Sequence, residues 1–161
     1  LPSWKPLTCY DAITVRIPER WDVSEDRGDT WGYYQAEDPD NEAADTDTGT
    51  LWITLDDYYL GSPDDNPVAD PARETIERIA EHVRQDGQMV DEKPIQPIDG
   101  GYLWQHTDAA EEKGEPLIFF RYHFLLSDGR DLKAISFTFV LTRAQLDDPE
   151  FRQLLERKSV V

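Results

Sequence analysis

The chain has 161 residues, 34 of them acidic and 16 basic, for a formal net charge of −18. That balance excludes a free-standing nucleic-acid binder, which needs a basic footprint, and an anionic membrane surface would repel the protein directly for the same reason. The single cysteine, Cys9, excludes an internal disulfide; no run approaches the ~20 apolar residues of a membrane span; and the length fits one domain over residues 1–161, with five Trp, seven Tyr and six Phe to fill its core.

Ala12–Pro18 alternates, with Ile13, Val15 and Ile17 on one face, and reads as a first strand ended by Pro18, with Trp21 packing just beyond. Thr30–Ala36, rich in aromatics, reads as a second strand. Glu37–Thr48 is acidic and aperiodic and reads as an exposed loop. Thr50–Leu55 aligns Leu51, Ile53 and Leu55 as a third strand, and Asp56–Asn66 reads as a second acidic loop. Between Arg27 and Arg73 there is no Lys or Arg, against twelve Asp and Glu, so two-thirds of the net charge falls in under a third of the chain.

A helix follows, with Asp70 as N-cap, Pro71 as first residue, Ile76, Ile79, Ala80 and Val83 as a narrow apolar stripe, and Gly87 as the stop. Met89–Ile98 is predicted extended, with Pro94 and Pro97 holding it at an edge. Tyr102–Thr107 is predicted as another strand and Asp108–Pro116 as a charged loop. Leu117–Thr142 is the strongest signal: two strands joined at Asp128-Gly129, a dipeptide suited to a two-residue turn. Centred there, the turn sets Tyr122 opposite Ile135, Phe120 opposite Phe137 and Ile118 opposite Phe139 on one face. Arg121, His123, Ala134, Ser136 and Thr138 share the more polar face. A closing helix is expected with Asp148 as cap, Pro149 first, and Phe151, Leu154 and Leu155 inward. The order predicts an α+β domain built on an antiparallel sheet.

Several residues carry a resemblance. They are Pro18-Glu19-Arg20-Trp21 after the first strand, with Arg20 where Gly is usual, Gly100-Gly101, the hairpin Asp128-Gly129-Arg130 followed by Ile135-Ser136-Phe137, and Phe151, Leu154, Leu155 and Ser159 at the end. Over nearly its whole length the chain resembles the PsbP-like fold, shared by photosystem II PsbP, the Ran-binding Mog proteins, and bacterial DcrB-type and LpqN-type envelope proteins. The resemblance implies a single antiparallel sheet of about six strands flanked by helices, an α/β/α sandwich. It also implies an accessory or binding role, since members are mostly non-enzymatic. With the non-Met start, it leans localisation toward the bacterial cell envelope.

Candidate chemistry is sparse. Counted from Asp45, Gly49 falls fifth and Thr50 sixth, so the EF-hand calcium spacing fails. The strand Thr50–Leu55 would hold the two acidic loops roughly 20 Å apart, so they cannot share one ion. His82 is expected solvated on the helix. His123 shares a face with Ser136, but no carboxylate is placed to orient its ring, so a nucleophile–base–orienter set is incomplete. No HExxH, CxxC, P-loop, GxGxxG or GxSxG occurs. Trp21, Trp52 and Trp104 read as packing residues, with Trp52 meeting a helix or lining a groove.

The expectation is therefore a non-catalytic binding or accessory protein, not an enzyme, with no cofactor. It would engage a protein partner through Asp45, Asp47, Asp56, Asp57, Tyr58, Tyr59, Asp64 and Asp65, where charge steers and tyrosines anchor. The alternatives are a secretion-associated chaperone or immunity-type inhibitor of a basic effector, and a small-ligand or calcium-binding envelope protein.

Overall fold

The hairpin expected between Leu117 and Thr142 forms the centre of the fold. Its strands β9 (Glu115–Asp128) and β10 (Asp131–Thr142) lie side by side within a main antiparallel sheet. The computed structural model describes residues 3–10, 13–27, 31–40, 49–59, 70–128, 131–149 and 152–153. Asp128 pairs with Asp131, Tyr122 with Phe137, Phe120 with Phe139 and Phe124 with Ile135. The partners lie two residues along from those predicted, because residues 129 and 130 stand between the paired ends instead of 128 and 129. A slip of two leaves every side chain on its expected face, whereas a slip of one would have exchanged the faces.

The main sheet has eight strands among the described residues, where about six were expected. Its order is β3 (Asp22–Arg27), β4 (Trp31–Glu37), β5 (Thr50–Tyr59), β10, β9, β8 (Gly101–Glu112) and β6 (Met89–Glu92), with β7 (Gln96–Ile98) also pairing with β8. The stretch predicted as extended from Met89 is thus two short edge strands. β3 was not anticipated: Asp22, Ser24, Glu25 and Asp26 give it no apolar alternation. It is the other edge of the sheet, where charge discourages unwanted pairing.

Two predicted loops are instead strand. Asp56–Tyr59 continue β5, with Asp56 paired to Ala134, Asp57 to Lys133, Tyr58 to Leu132 and Tyr59 to Asp131. Asp108–Glu112 continue β8 and Glu115–Pro116 begin β9, joined by Lys113 at φ 52° and Gly114 at φ 81°. Two successive left-handed residues are what a type I′ hairpin turn requires. Lysine is uncommon at positive φ, and the flanking Glu111, Glu112 and Glu115 hid the strand pattern.

The expected first strand is present as β2 (Ile13–Pro18), with Ile13, Val15 and Ile17 buried. It pairs with the unanticipated β1 (Trp4–Cys9) in a separate two-stranded sheet. That hairpin covers one face of the main sheet. Cys9, Ile13, Val15, Ile17 and Trp21 pack against Tyr34, Ala36, Ile53, Phe124, Ile135, Phe137 and Phe139. The Trp21 and Phe139 rings lie 6.2 Å apart, and Tyr10 Oη donates to the Ile53 carbonyl at 3.1 Å. Burial pushes the Cys9 thiol up to about 12, so this cysteine is a packing residue.

The opposite face carries α1 (Pro71–Gln85), which begins as expected: the Asp70 carboxylate accepts from Arg73 N at 3.2 Å, and Pro71 is first. Ala72, Ile76 and Ala80 pack against Trp104, Leu125 and Leu132, with Ile79 and Val83 half-buried beside them. Tyr102 Oη also bonds Asp70, tying the helix start to the sheet. Gly101 lets β8 approach β9, since a Cβ there would run into the Leu125 carbonyl. The described layers are therefore β-hairpin, sheet and helix: on the face opposite α1 the β1–β2 hairpin, with Leu146 packed beside it, stands where the α/β/α expectation put a helical layer.

After β10 comes α2 (Arg143–Leu146), also unanticipated, opened by a capping box in which Thr142 and Gln145 bond each other's backbone. The Asp148 carbonyl then accepts from Arg152 N at 3.1 Å, as a helix starting there would have it. Phe151, Leu154, Leu155 and Ser159 lie outside the described residues.

Candidate functional site

Beyond the apolar footprint of α1, the same sheet face turns polar. Strand alternation puts Trp104, His106 and Asp108 of β8 on it, Arg121 and His123 of β9 beside them, and Ser136 and Thr138 of β10 next. The register sets Trp104 opposite His123, His106 opposite Arg121, and Ser136 opposite His123. Four of these side chains form one hydrogen-bonded row across three strands. Asp108 Oδ1 lies 2.8 Å from His106 Nδ1, His106 Nε2 lies 2.7 Å from His123 Nε2, and His123 Nδ1 lies 3.1 Å from Ser136 Oγ.

The other Asp108 oxygen accepts from Arg121 Nε at 3.1 Å, and Arg121 also donates to Thr138 Oγ1 at 3.4 Å. The two imidazoles are nearly parallel at 3°, and Trp104 stacks on them at 4.4 and 5.4 Å. Arg84 of α1 sits 5.8 Å from the Trp104 ring centre and pairs with Glu92 of β6 at 3.1 Å.

The proton positions follow from counting donors and acceptors. Asp108, ion-paired to Arg121, only accepts, so His106 carries its proton on Nδ1. Its Nε2 must then accept, so His123 carries its proton on Nε2. His123 Nδ1 is left to accept from the Ser136 hydroxyl. Both rings are neutral in this arrangement. Burial lowers the His106 pKa, against the pull of Asp108. Burial, then the neighbouring His106 and Arg121, lower His123 to about 3.

The sequence expectation that no carboxylate orients this set is thus corrected. Asp108 does so, through His106, a histidine for which the sequence suggested no role. The row was missed because the predicted strand ended at Thr107, which left Asp108 in a loop. The available signal was the period-2 continuation from Trp104 through His106 to Asp108.

The predicted partner-binding residues are not part of the row. Asp45, Asp47, Asp64 and Asp65 lie outside the described residues. Asp56, Asp57, Tyr58 and Tyr59 are placed by their backbone on β5, paired with β10 rather than in a loop. His82 is exposed on α1, as expected, and Trp21 and Trp104 are buried packing residues. Trp52 is half-buried, with its ring 5.2 Å from that of Tyr33. No three His, Cys, Asp or Glu side chains among the described residues converge to hold a metal ion.

No family model and no curated protein matches the sequence. The crystal structure of LpqN from Mycobacterium tuberculosis, involved in cell envelope biogenesis, is similar at a TM-score of 0.58 and 10% identity, over 96% of this chain and 84% of LpqN. The fold is PsbP-like. The Ran-binding protein Mog1p of Saccharomyces cerevisiae is similar at a TM-score of 0.49 and 14% identity, over 98% of this chain and 93% of Mog1p. Within this frame the hydrogen-bonded row occupies the sheet face that carries α1, and the β1–β2 hairpin covers the opposite face.

Proposed function

We propose that this PsbP-like chain is a non-catalytic binding or accessory protein that engages a protein partner through its acidic, tyrosine-containing surface, in the bacterial cell envelope. The observation that carries the non-catalytic reading is the hydrogen bonding of the row. Ser136, His123, His106 and Asp108 have the connectivity of a nucleophile, base and orienter. The second nitrogen of His123 nevertheless donates to the neutral His106 rather than to a carboxylate, and burial lowers the ring's pKa to about 3, so the imidazolium that taking the serine proton would create is not stabilised there. The row is spent on satisfying its own polar groups, which pins β8, β9 and β10 together.

The binding half rests on charge. With a net charge of −18, the chain steers toward a basic or mixed protein surface, and nucleic acid or an anionic membrane would be repelled. The twelve-carboxylate stretch without a cation contains Asp45, Asp47, Asp56, Asp57, Tyr58, Tyr59, Asp64 and Asp65, to which we assign the contact. The fold likeness to LpqN supports the envelope placement.

The test is capture from lysate and envelope fractions, comparing the native chain with one carrying Asp45, Asp47, Asp56, Asp57, Asp64 and Asp65 all changed to Asn. A protein held by the native chain at low salt, released by raised salt and lost from the variant supports the reading. Equal retention by both would remove the acidic stretch from the interface.

A further inference from the structure

A hydrogen-bonded row with a carboxylate at one end and a hydroxyl at the other has a property that neither end has alone. The carboxylate can only accept, whereas a hydroxyl can donate or accept. In the neutral row, donation runs from Ser136 to His123 to His106, and His106 separately donates to Asp108. A proton added at His106 Nε2 would face the His123 Nε2 proton across 2.7 Å. The conflict is removed if His123 changes tautomer, releasing Nε2 as an acceptor and placing its own proton on Nδ1. That proton is then donated to Ser136 Oγ, whose hydroxyl hydrogen turns away from the row. Every hydrogen bond of the row survives; two reverse direction. The new charge rests on His106, 2.8 Å from the Asp108 carboxylate.

We propose that Asp108, His106, His123 and Ser136 form a reversible proton relay, which takes up one proton on acidification and reports it across three strands as a reversed hydroxyl at Ser136. Ser136 is half-buried, so the reversal turns a donor from the inside of the sheet toward the groups beside it. A second proton cannot be absorbed, because two imidazolium N–H groups would then oppose each other. The low value of His123, set in part by His106, fits that order of events.

The charged groups around the row divide. Asp108 and, from the adjacent edge strand, Glu92 favour the proton on His106; Arg121 of β9 opposes it. Arg84 of α1, above Trp104, is offset by its pairing with Glu92 and Glu81. On β10 and β5 the neighbours of Ser136 are the uncharged Thr138 and Thr54.

Long-range nitrogen–proton correlation spectra of histidine-labelled protein, titrated from pH 7.5 downward, read the tautomers directly. The chain has three histidines, and His82→Gln assigns the exposed one. At neutral pH, His106 is expected protonated on Nδ1 and His123 on Nε2. As His106 gains its second proton, His123 should move its own to Nδ1 in the same step. If His123 keeps the Nε2 proton through the His106 titration, or the two rings titrate independently, the relay is wrong. Ser136→Ala leaves Nδ1 without a donor in the neutral row and the reversed Nδ1 proton without an acceptor in the protonated one; the second bond belongs to the charged row and is the stronger, so the His106 midpoint should fall. Ser136→Thr, which keeps the hydroxyl, should restore it. An unchanged midpoint in Ser136→Ala would equally overturn the proposal.

Discussion

The two faces of the main sheet solve the same packing problem with different chemistry. Under the β1–β2 hairpin the sheet offers Phe124, Ile135, Phe137 and Phe139 to Ile13, Ile17 and Trp21, and cohesion there is area removed from water. On the other face the part beneath α1 is apolar, and beside it the sheet is held by directed bonds among Asp108, His106, His123, Ser136, Arg121 and Thr138. The first kind of face degrades gradually with lost volume and is indifferent to pH. The second fails through a single unsatisfied donor and responds to protons.

The largest effect should come from the apolar face. Phe139→Ala removes a ring that is 2% exposed and packed near Trp21, and should cost about 3–5 kcal/mol by denaturant unfolding. A loss under ~1 kcal/mol would mean that this face can collapse onto the void and is not the tightly packed one.

Next comes the polar face. Asp108→Ala strands the His106 Nδ1–H in a ring whose side chain is fully buried, and releases a part-exposed Arg121. About 1–3 kcal/mol should be lost. If the double change Asp108→Ala, His106→Phe were better tolerated than the single one, the cost would be shown to lie in the orphaned donor.

The smallest effect is the pH response, and it distinguishes the faces most sharply. Both relay histidines have folded values below the ordinary 6.5, so below that pH the unfolded chain binds more protons than the folded one. The stability contributed by the neutral rings is present above pH 6.5 and is lost as pH falls toward 3, at no more than about 1.4 kcal/mol per pH unit for each ring. Unfolding midpoints measured from pH 7 down to 4, in the native chain and in a His106→Phe, His123→Phe variant, give the difference. Parallel curves would show that the rings contribute nothing to it.

Local pattern made much of this legible. Alternation in Ile13–Pro18, Thr50–Leu55 and the hairpin strands marked which faces are buried, because a strand's side chains alternate whatever it pairs with. Asp70, Pro71 and Gly87 punctuated α1, because caps satisfy local backbone groups. Those features placed the fold in its class. Where charge replaced alternation, in Asp22–Arg27 and Asp108–Glu115, strands went unseen, since only a neighbouring strand's hydrogen bonds select the extended form there.

The tertiary structure alone decided register and assembly. A hairpin's partners depend on which two residues stand at its turn, and a one-residue change in that centring moves every pair by two. The relay depends on three strands at once: His106 meets His123 and Asp108 meets Arg121 through β8–β9 pairing, and His123 meets Ser136 through β9–β10 pairing. No stretch of sequence holds that geometry, because its strand-crossing bonds join residues 13 to 17 apart that come together only when the ladders close.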